Sequence, residues 1–384
     1  MKKQLRLWGM IPFILLGLAA CNKDDATPQD QGTGEVKIAF GFDKATETKA
    51  PVGGTKRPAT SWTKSVKDLM ILFVSNDKVL DARTIAVPAQ ADLSEQTLTF
   101  DKVPVMTAGD IYIVANSGET AGILRKNETG GSWTPATVKN QTFSKLYLEL
   151  VTAAATAPEE FAGETKYKQP AEIFLAHKAG VNITADQTTT IADALHLTRA
   201  VSLIRVRLKP IEANDTKISF TDPKALVYLR KANPKLKLDG TASGHGPKIG
   251  IFVPKPFLGT EPAGTDYSGT DPILNAATGI KYYQDILSLP GGGSTSADKF
   301  EVVIKGITTE EYTLPDGTKL AAGKPVYWSG AFDVKAIANG IVVLTVTVNS
   351  QGVETPPAPG NFGSLSIKVD MADWGSVESA EIQV

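Results

Sequence analysis

The residue types that most often catalyse reactions or bind metals do not form a recognisable site in this chain. Its three histidines lie far apart, and none belongs to an H-E-x-x-H or H-x-H pattern that would hold a metal ion. No G-x-S-x-G nucleophile motif is present. The adjacent carboxylates Glu159-Glu160 and Glu310-Glu311 would point to opposite faces of a strand, although two carboxylates distant in the sequence could still form a glycosidase pair. We therefore predict no metal, no cofactor and no enzymatic activity.

Cys21 is the residue with the clearest predicted chemistry. It is the only cysteine, so the subunit forms no internal disulfide. It follows a positively charged start and a short apolar segment over 7–20, which are the features of a signal peptide. The sequence Leu18-Ala19-Ala20-Cys21 resembles a bacterial lipobox, in which small residues fit a peptidase and the cysteine thiol receives a diacylglycerol. We predict that residues 1–20 are a signal peptide and that Cys21 is the site of lipid attachment.

The next four residues, Asn22-Lys23-Asp24-Asp25, allow two interpretations. They are similar to the lysine-plus-acidic tether that directs some Bacteroidetes lipoproteins to the outer face of the outer membrane, and they are equally typical of a solvated linker. The net charge of the whole chain is -1, and loss of residues 1–20 leaves about -4. That balance does not favour a partner such as nucleic acid, which would require a clustered basic surface.

The elements that follow are predicted to be short strands. Apolar residues alternate with polar ones over 36–42, and a continuous apolar run over 69–74 is typical of a strand covered on both faces. Further strands are predicted around 98–100, 111–115, 188–191, 197–208, 300–305 and 341–348, with a hairpin over 312–320. Residues 121–170 are predicted to hold loops or short helices, and residues 231–299 are predicted to be long loops. The length of 384 residues and this pattern predict an all-β fold with two β-sandwich domains that meet near residue 196.

Both ends of the predicted folded part carry amphipathic strands. The N-terminal strand presents Val36, Ile38, Phe40 and Phe42 on one face. A proline-rich linker over 350–363 precedes two C-terminal alternations. The apolar residues of this C-terminal segment are Leu365, Ile367, Val369, Met371, Trp374, Ala380, Ile382 and Val384. A linker followed by two such strands is a poor end for a closed domain but would suit a detachable arm.

Several motifs together resemble the fimbrillins of Bacteroidales, the major subunits of the type V pilus. The resemblance covers nearly the whole chain, and each motif alone is loose, although their order and spacing are fairly specific. The motifs are the lipobox, Thr48-Lys49-Ala50, Asp110-Ile-Tyr-Ile-Val-Ala-Asn-Ser-Gly118, Leu197-Thr-Arg-Ala-Val-Ser-Leu-Ile-Arg-Val206, Gly323-Lys-Pro-Val-Tyr-Trp328 and Ile367-Lys-Val-Asp-Met-Ala-Asp-Trp-Gly-Ser-Val377.

The resemblance implies two transthyretin-like β-sandwiches in tandem and a lipoprotein precursor at the cell surface. A trypsin-like protease would remove the propeptide with its first strand, and the C-terminal arm of another subunit would fill the groove that remains. The family's cleavage usually follows an arginine, whereas Pro58 follows Arg57 here. We therefore prefer Lys49 as the cleavage site, with Lys56 and Arg57 as alternatives. If no cleavage occurs, the chain would be an anchor or accessory subunit that stays lipidated.

These expectations define five segments and a set of partners. The segments are the signal peptide 1–20, the lipidated propeptide 21–57, the N-terminal sandwich 58–195, the C-terminal sandwich 196–363 and the donor strands 364–384. The expected partners are other fimbrial subunits, the processing protease, the outer membrane through the lipid, and an unknown host or bacterial surface ligand. A tip or anchor subunit, or a surface glycan-binding lipoprotein with Trp62, Trp133 and Trp328 as a sugar platform, remains an alternative.

Overall fold

A computed structural model describes most of the chain between Gly32 and Glu378. The described residues are 32–42, 66, 68–85, 96–118, 121–153, 164–210, 216–241, 249–252, 256–259, 280–291, 299–334, 336–361, 365–373 and 377–378. Strands dominate them, and their only helical element of three residues or more is a 3-10 turn at Phe143–Lys145. The predicted all-β fold is therefore confirmed.

The first half of the chain contains ten strands among its described residues. They are β1 Thr33–Phe42, β2 Leu69–Ser75, β3 Lys78–Ile85, β4 Gln96–Pro104, β5 Met106–Ala115, β6 Ile123–Asn127, β7 Leu146–Leu150, β8 Thr165–Lys168, β9 Phe174–Ile183 and β10 Thr188–Arg199. Seven of them are hydrogen-bonded in the order β3-β2-β5-β9-β10-β1-β4. The two end strands approach each other, since Arg83 of β3 donates hydrogen bonds to the carbonyl oxygens of Asp101 and Lys102 in β4. The seven strands therefore curl around one apolar core.

The second half adds thirteen described strands. They are β11 Ser202–Lys209, β12 Ile218–Ser219, β13 Leu226–Arg230, β14 Lys235–Lys237, β15 Ile249–Phe252, β16 Tyr282–Ser288, β17 Phe300–Thr308, β18 Tyr312–Thr313, β19 Lys319–Leu320, β20 Pro325–Phe332, β21 Gly340–Val348, β22 Leu365–Asp373 and β23 Val377–Glu378. One sheet has the order β16-β11-β21-β22-β23, and another has the order β12-β17-β13-β15-β8 with β20 also paired to β17.

Strands from the two halves pair with each other. β14 is antiparallel to β7 in a small sheet with β6, and β15 is parallel to β8. A boundary at 195/196 would fall inside β10, which ends at Arg199, and β6, β7 and β8 belong to sheets completed by the second half.

The continuous apolar run of β2 illustrates how the cores are arranged. Leu69, Ile71 and Phe73 face the core enclosed by the seven strands, while Met70 and Leu72 face a larger core shared with the second half. All five side chains are buried. The prediction that this strand is covered on both faces is confirmed, because alternate residues of a strand point to opposite faces.

Several predicted elements differ from the structure. Residues 197–208 are not one strand, because β10 ends at Arg199 and β11 begins at Ser202, where the chain passes between sheets. Residues 188–191 are the start of the long strand β10 rather than a separate edge strand. The region 121–170 contains three strands, and 231–299 contains β14, β15 and β16. The strand β16 was missed because Gln284 and Asp285 interrupt its apolar pattern. The predicted hairpin over 312–320 is confirmed as β18 and β19, with Gly317 at a φ of 86°.

Candidate functional site

The N-terminal strand β1 occupies an interior position in its sheet. It is parallel to β10 from the pair Glu35–Thr188 to the pair Phe42–Leu197. On its other side it is antiparallel to β4, from Thr33–Pro104 to Phe40–Gln96. A backbone ladder therefore runs along both edges of β1, so its absence would leave a slot between β10 and β4.

The inward side chains of β1 fill this slot. Val36, Ile38 and Phe40 have no exposed surface, and they pack in the core of the seven strands. The outward residues Glu35 and Lys37 are partly exposed, as their positions in an alternating strand require. These three apolar residues therefore share one buried face of the strand. Phe42 lies on the strand, and its side chain is outside the described residues.

One end of the slot is closed by a turn that touches the backbone of β1. A Cβ atom placed on Gly34 would lie 2.5 Å from the carbonyl oxygen of Thr184 and 3.0 Å from that of Gln187. The amide of Glu35 donates to the Gln187 oxygen at 2.9 Å, and the amide of Asp186 donates to the Thr33 oxygen at 2.9 Å. Turn and strand are thus bonded at their point of closest approach, which leaves no room for a side chain.

The predicted donor strand is packed on its own half of the molecule. β22 is antiparallel to β21 along its whole length, from Leu365–Val348 to Asp373–Gly340. Its other flank pairs with β23 at only two positions. Leu365, Ile367 and Val369 are buried, and a Cβ on Gly330 of β20 would lie 2.7 Å from the Ile367 side chain. The strand therefore lies near the edge of its sheet but contributes to its core.

The residues before β22 are attached to the sheets, although their prolines predicted a free linker. Val353 exchanges two backbone hydrogen bonds with Tyr327, and Trp328 donates from its indole nitrogen to the Ser350 oxygen at 3.0 Å. Arg230 donates to the Pro357 oxygen at 2.9 Å, and Ser329 donates to the Asn361 oxygen at 2.7 Å. These bonds hold 350–361 against β13 and β20. Any movement of the C-terminal strand would therefore have to begin after Asn361.

Most other predicted site residues lie outside the described part of the chain. This applies to Cys21, to Lys49, Lys56 and Arg57, and to Trp374, Ala380, Ile382 and Val384. Met371 lies on β22, but its side chain is not described. Trp133 and Trp328 are buried, with exposures of 2% and 0%, so they cannot form a sugar platform at the surface. Trp62 lies outside the described residues.

The charged residues considered as catalytic groups have individual partners. Glu310 pairs with Lys217 at 3.4 Å, and Glu311 pairs with Lys319 at 2.8 Å, all of them at the surface. The hydrogen bond and charge of Lys319 lower the pKa of Glu311. Glu159 and Glu160 lie outside the described residues. Within the described ranges no group of three or more acidic, histidine or cysteine residues could hold a metal ion.

A cleft of about 360 Å³ lies beside β5, β9 and β10. The ring of His177 stacks on the ring of Tyr112, with 4.3 Å between the two ring centroids, and its Nε2 atom lies 3.0 Å from a carboxylate oxygen of Asp110. Burial, followed by the charge of Asp110, raises the pKa of Tyr112 to about 12. His196 also lines the cleft. His177 and His196 thus lie at the surface of one cleft, whereas His245 lies outside the described residues.

The slot of β1 and the strand β22, which lies near the edge of its sheet, are features of this structure that suit recognition of another chain. Sequence reasoning found the alternating residues of β1 and β22. It missed Gly34 and the turn at 184–187, because a glycine at the start of a strand gives no sign of what its backbone touches. Among the described residues, no helix has the length and apolar character needed to span a bilayer.

The fold is similar to those of several solved bacterial surface proteins. One is a proposed cell adhesion protein from Bacteroides eggerthii, with 14% identity, a TM-score of 0.48 and coverage of 89% of this chain and 96% of that one. A fimbrilin from Porphyromonas gingivalis has 15% identity, a TM-score of 0.44 and coverage of 90% and 99%. The tip fimbrial protein Mfa3 from Porphyromonas gingivalis has 11% identity, a TM-score of 0.37 and coverage of 88% and 99%.

No protein-family model matches the chain, and no curated protein sequence matches it. Fimbrillins, the family that the sequence motifs resemble, are thus among the solved structures with a similar fold. The identities to these structures are only 11–15%, so they give no information about the function of this chain.

Proposed function

We propose that this protein is a structural subunit of a surface fimbria, exported as a lipoprotein through Cys21 and polymerised by donor-strand exchange. Proteolysis after Lys49, or after Lys56 or Arg57, would release β1. The C-terminal strand of a second subunit would then enter the vacated slot. The interior position of β1, with a backbone ladder on each side, is the observation that carries this proposal.

Loss of β1 would make the slot strongly attractive to another strand. Three fully buried side chains would leave, at about 1.5–3 kcal/mol each, which totals roughly 5–9 kcal/mol of lost apolar burial. The facing backbone groups of β10 and β4 would also lose their partners, and unpaired strand edges readily accept an added strand. Before cleavage, β1 fills the slot from within the same chain, at a high effective concentration that a second subunit cannot match.

Exchange also favours the slot over the donor's original place. In its own sheet β22 has one long ladder, with β21, and only two pairs with β23. In the slot it would have ladders on both edges, while its apolar residues would be buried in either place. The second ladder of backbone hydrogen bonds therefore makes the slot more favourable in free energy, which apolar burial alone would not do. Because donor and acceptor are different surfaces, the contact is head-to-tail and extends into a fibre. This role supports a function in adhesion and requires no catalytic residue.

The test is controlled cleavage of the purified precursor lacking residues 1–20, with Cys21 replaced by Ser. Limited trypsin digestion should cut within 43–61 and yield filaments visible by electron microscopy. The matched control replaces the lysines and the arginine of this segment, Lys44, Lys49, Lys56 and Arg57, with Gln; a chain that thereby keeps β1 should remain monomeric. A chain that loses β1 and still remains monomeric would refute strand exchange.

A further inference from the structure

The slot of β1 imposes a sequence requirement on any strand that replaces it. The turn over 184–187 allows only a glycine at the position of Gly34, because a Cβ there would contact the backbone oxygen of Thr184 at 2.5 Å. The turn cannot easily withdraw, since its own backbone is hydrogen-bonded to the residues on each side of Gly34. Inward positions then follow at two, four and six residues after that glycine. A strand that enters the slot in the same direction as β1 therefore needs a glycine followed by apolar residues two, four and six positions later.

Only one glycine near the C-terminus begins this pattern. Gly363 is followed at the required spacing by Leu365, Ile367 and Val369. Gly360 would place Phe362, Ser364 and Ser366 in the three apolar sites. Gly375 would place Val377, Ser379 and Glu381 there, which would bury a carboxylate.

The last alternation of the chain fails for a different reason. If Ala380, Ile382 and Val384 filled the three apolar sites, Glu378 would stand at the glycine position. If Ile367, Val369 and Met371 of the first alternation filled the three apolar sites, Leu365 would likewise stand at the glycine position, against the Thr184 oxygen. The contact at Gly34 thus selects between the two C-terminal alternations and also fixes the register of the one that fits.

We propose that the slot accepts residues 363–371 of a second copy of this chain, with Gly363 at the place of Gly34. The donor runs parallel to β10 and antiparallel to β4, as β1 does. Leu365, Ile367 and Val369 take the places of Val36, Ile38 and Phe40. This inference rests on the proposed strand exchange, takes for the donor the direction that β1 has, and adds the register and the residue that determines it.

The register places specific residues of two subunits opposite each other. In the precursor, Lys37 is opposite Thr99 of β4, and Ala39 is opposite Thr97. In the polymer, Ser366 of the donor would take the place of Lys37 and lie opposite Thr99 of the acceptor. Both threonines are exposed, so a cysteine at either position can react. Within its own subunit, Ser366 is paired with Thr347 on β21, in a different sheet from β4.

Cysteine pairs can read this register directly. In the Cys21→Ser chain, the pair Ser366→Cys with Thr99→Cys should give a covalent ladder of subunits after cleavage and mild oxidation. The pair Ser366→Cys with Thr97→Cys is the matched control. Its partners would be displaced by two residues, or about 7 Å along the strand, which is too far for a disulfide. We expect at least tenfold less cross-linking for this pair.

The outcomes separate the register from strand exchange itself. A cleaved parent chain that forms no filaments refutes the proposed function. Filaments that cross-link equally or better through Thr97→Cys, or through neither pair, refute the register while leaving exchange intact. Preferential cross-linking through Thr99→Cys supports both.

The glycine requirement can be tested with peptides, which avoids any effect of substitution on folding. A synthetic peptide of residues 363–371 should enter slots and cap growing filaments. A peptide with Gly363→Ala should need at least a tenfold higher concentration for the same effect, whereas a Ser366→Ala peptide should act like the parent. Equal potency of the two alanine peptides would overturn the requirement for glycine.

Discussion

Ile38→Ala in the uncleaved precursor should weaken the seating of β1 without affecting the processed subunit. Ile38 has no exposed surface, and it pairs with Ile191 of β10 and Leu98 of β4. Because neighbouring strands bound it on both sides, the site has little freedom to collapse around a smaller side chain. Truncation of a buried isoleucine to alanine typically costs about 2–5 kcal/mol.

That cost converts into a change in local opening. At a factor of ten for each 1.4 kcal/mol, the population with an open slot should rise roughly 30-fold to 4,000-fold. Native-state hydrogen exchange measures such openings, and the amides of β10 and β4 that face β1 should exchange faster by this factor. Amides in β11 and β21, on the sheet of the second half, should be unaffected.

The matched control is Lys37→Ala on the same strand. Its side chain is 44% exposed and forms a surface ion pair with Glu35 at 3.5 Å. Such pairs contribute about 0–1 kcal/mol, so this variant should exchange within a few fold of the parent. After cleavage removes β1, the Ile38→Ala chain should match the parent in every assay. Equal exchange in the two precursors, or a difference that persists after removal of β1, would refute the assignment of β1 as a removable structural strand.

Three further predictions concern other parts of the molecule. Asp285→Ala should lower the free energy of unfolding in urea by about 3–5 kcal/mol, because it leaves the buried guanidinium of Arg205 without the carboxylate that it contacts at 2.7 Å and 2.8 Å. The double variant Arg205→Met, Asp285→Leu should be nearly neutral, and an equal loss of stability in the single and double variants would contradict the buried-pair argument. Tyr112→Phe should remove a loss of stability at high pH, because the raised pKa of Tyr112 means that its contribution is complete below pH 10 and is lost as the pH rises towards about 12. If the free energies of unfolding of the parent and the variant depend on pH in the same way, this prediction is wrong. Cys21→Ala should abolish association of the precursor with membranes, and continued lipid labelling of this variant would disprove the anchor.

The sequence predicted the faces of the terminal strands but not the strands that they would contact. The alternation of Val36, Ile38 and Phe40 shows that one side of β1 is buried, because side chains in a strand have a period of two. It gives no information about the two ladders, since backbone hydrogen bonds lie in the plane of the sheet and do not depend on side-chain type. The interior position of β1 therefore appeared only in the structure.

The same limitation explains the treatment of the C-terminal strand. The alternation of Leu365, Ile367 and Val369 predicts a buried face, and the core that covers it in the described structure belongs to the same subunit. The alternation of apolar residues alone cannot distinguish a strand that is buried in its own subunit from one that is buried in a neighbouring subunit. The strand β16 was hidden for a related reason, because Asp285 is a charged residue whose buried partner, Arg205, lies on another strand.

The topology explains why these two strands suit exchange. An interior strand between two loops could be removed only by two cuts, and its loss would disconnect the sheet. β1 precedes every other described strand, so one cut after Phe42 would separate it while leaving β2 to β23 continuous. β22 lies near the other end of the chain, next to a two-residue strand, and the bonds over 350–361 would hold the preceding residues in place as it left. A fold whose first described strand is interior to one sheet, and whose late strand lies near the edge of another, can therefore exchange one for the other without unfolding the rest.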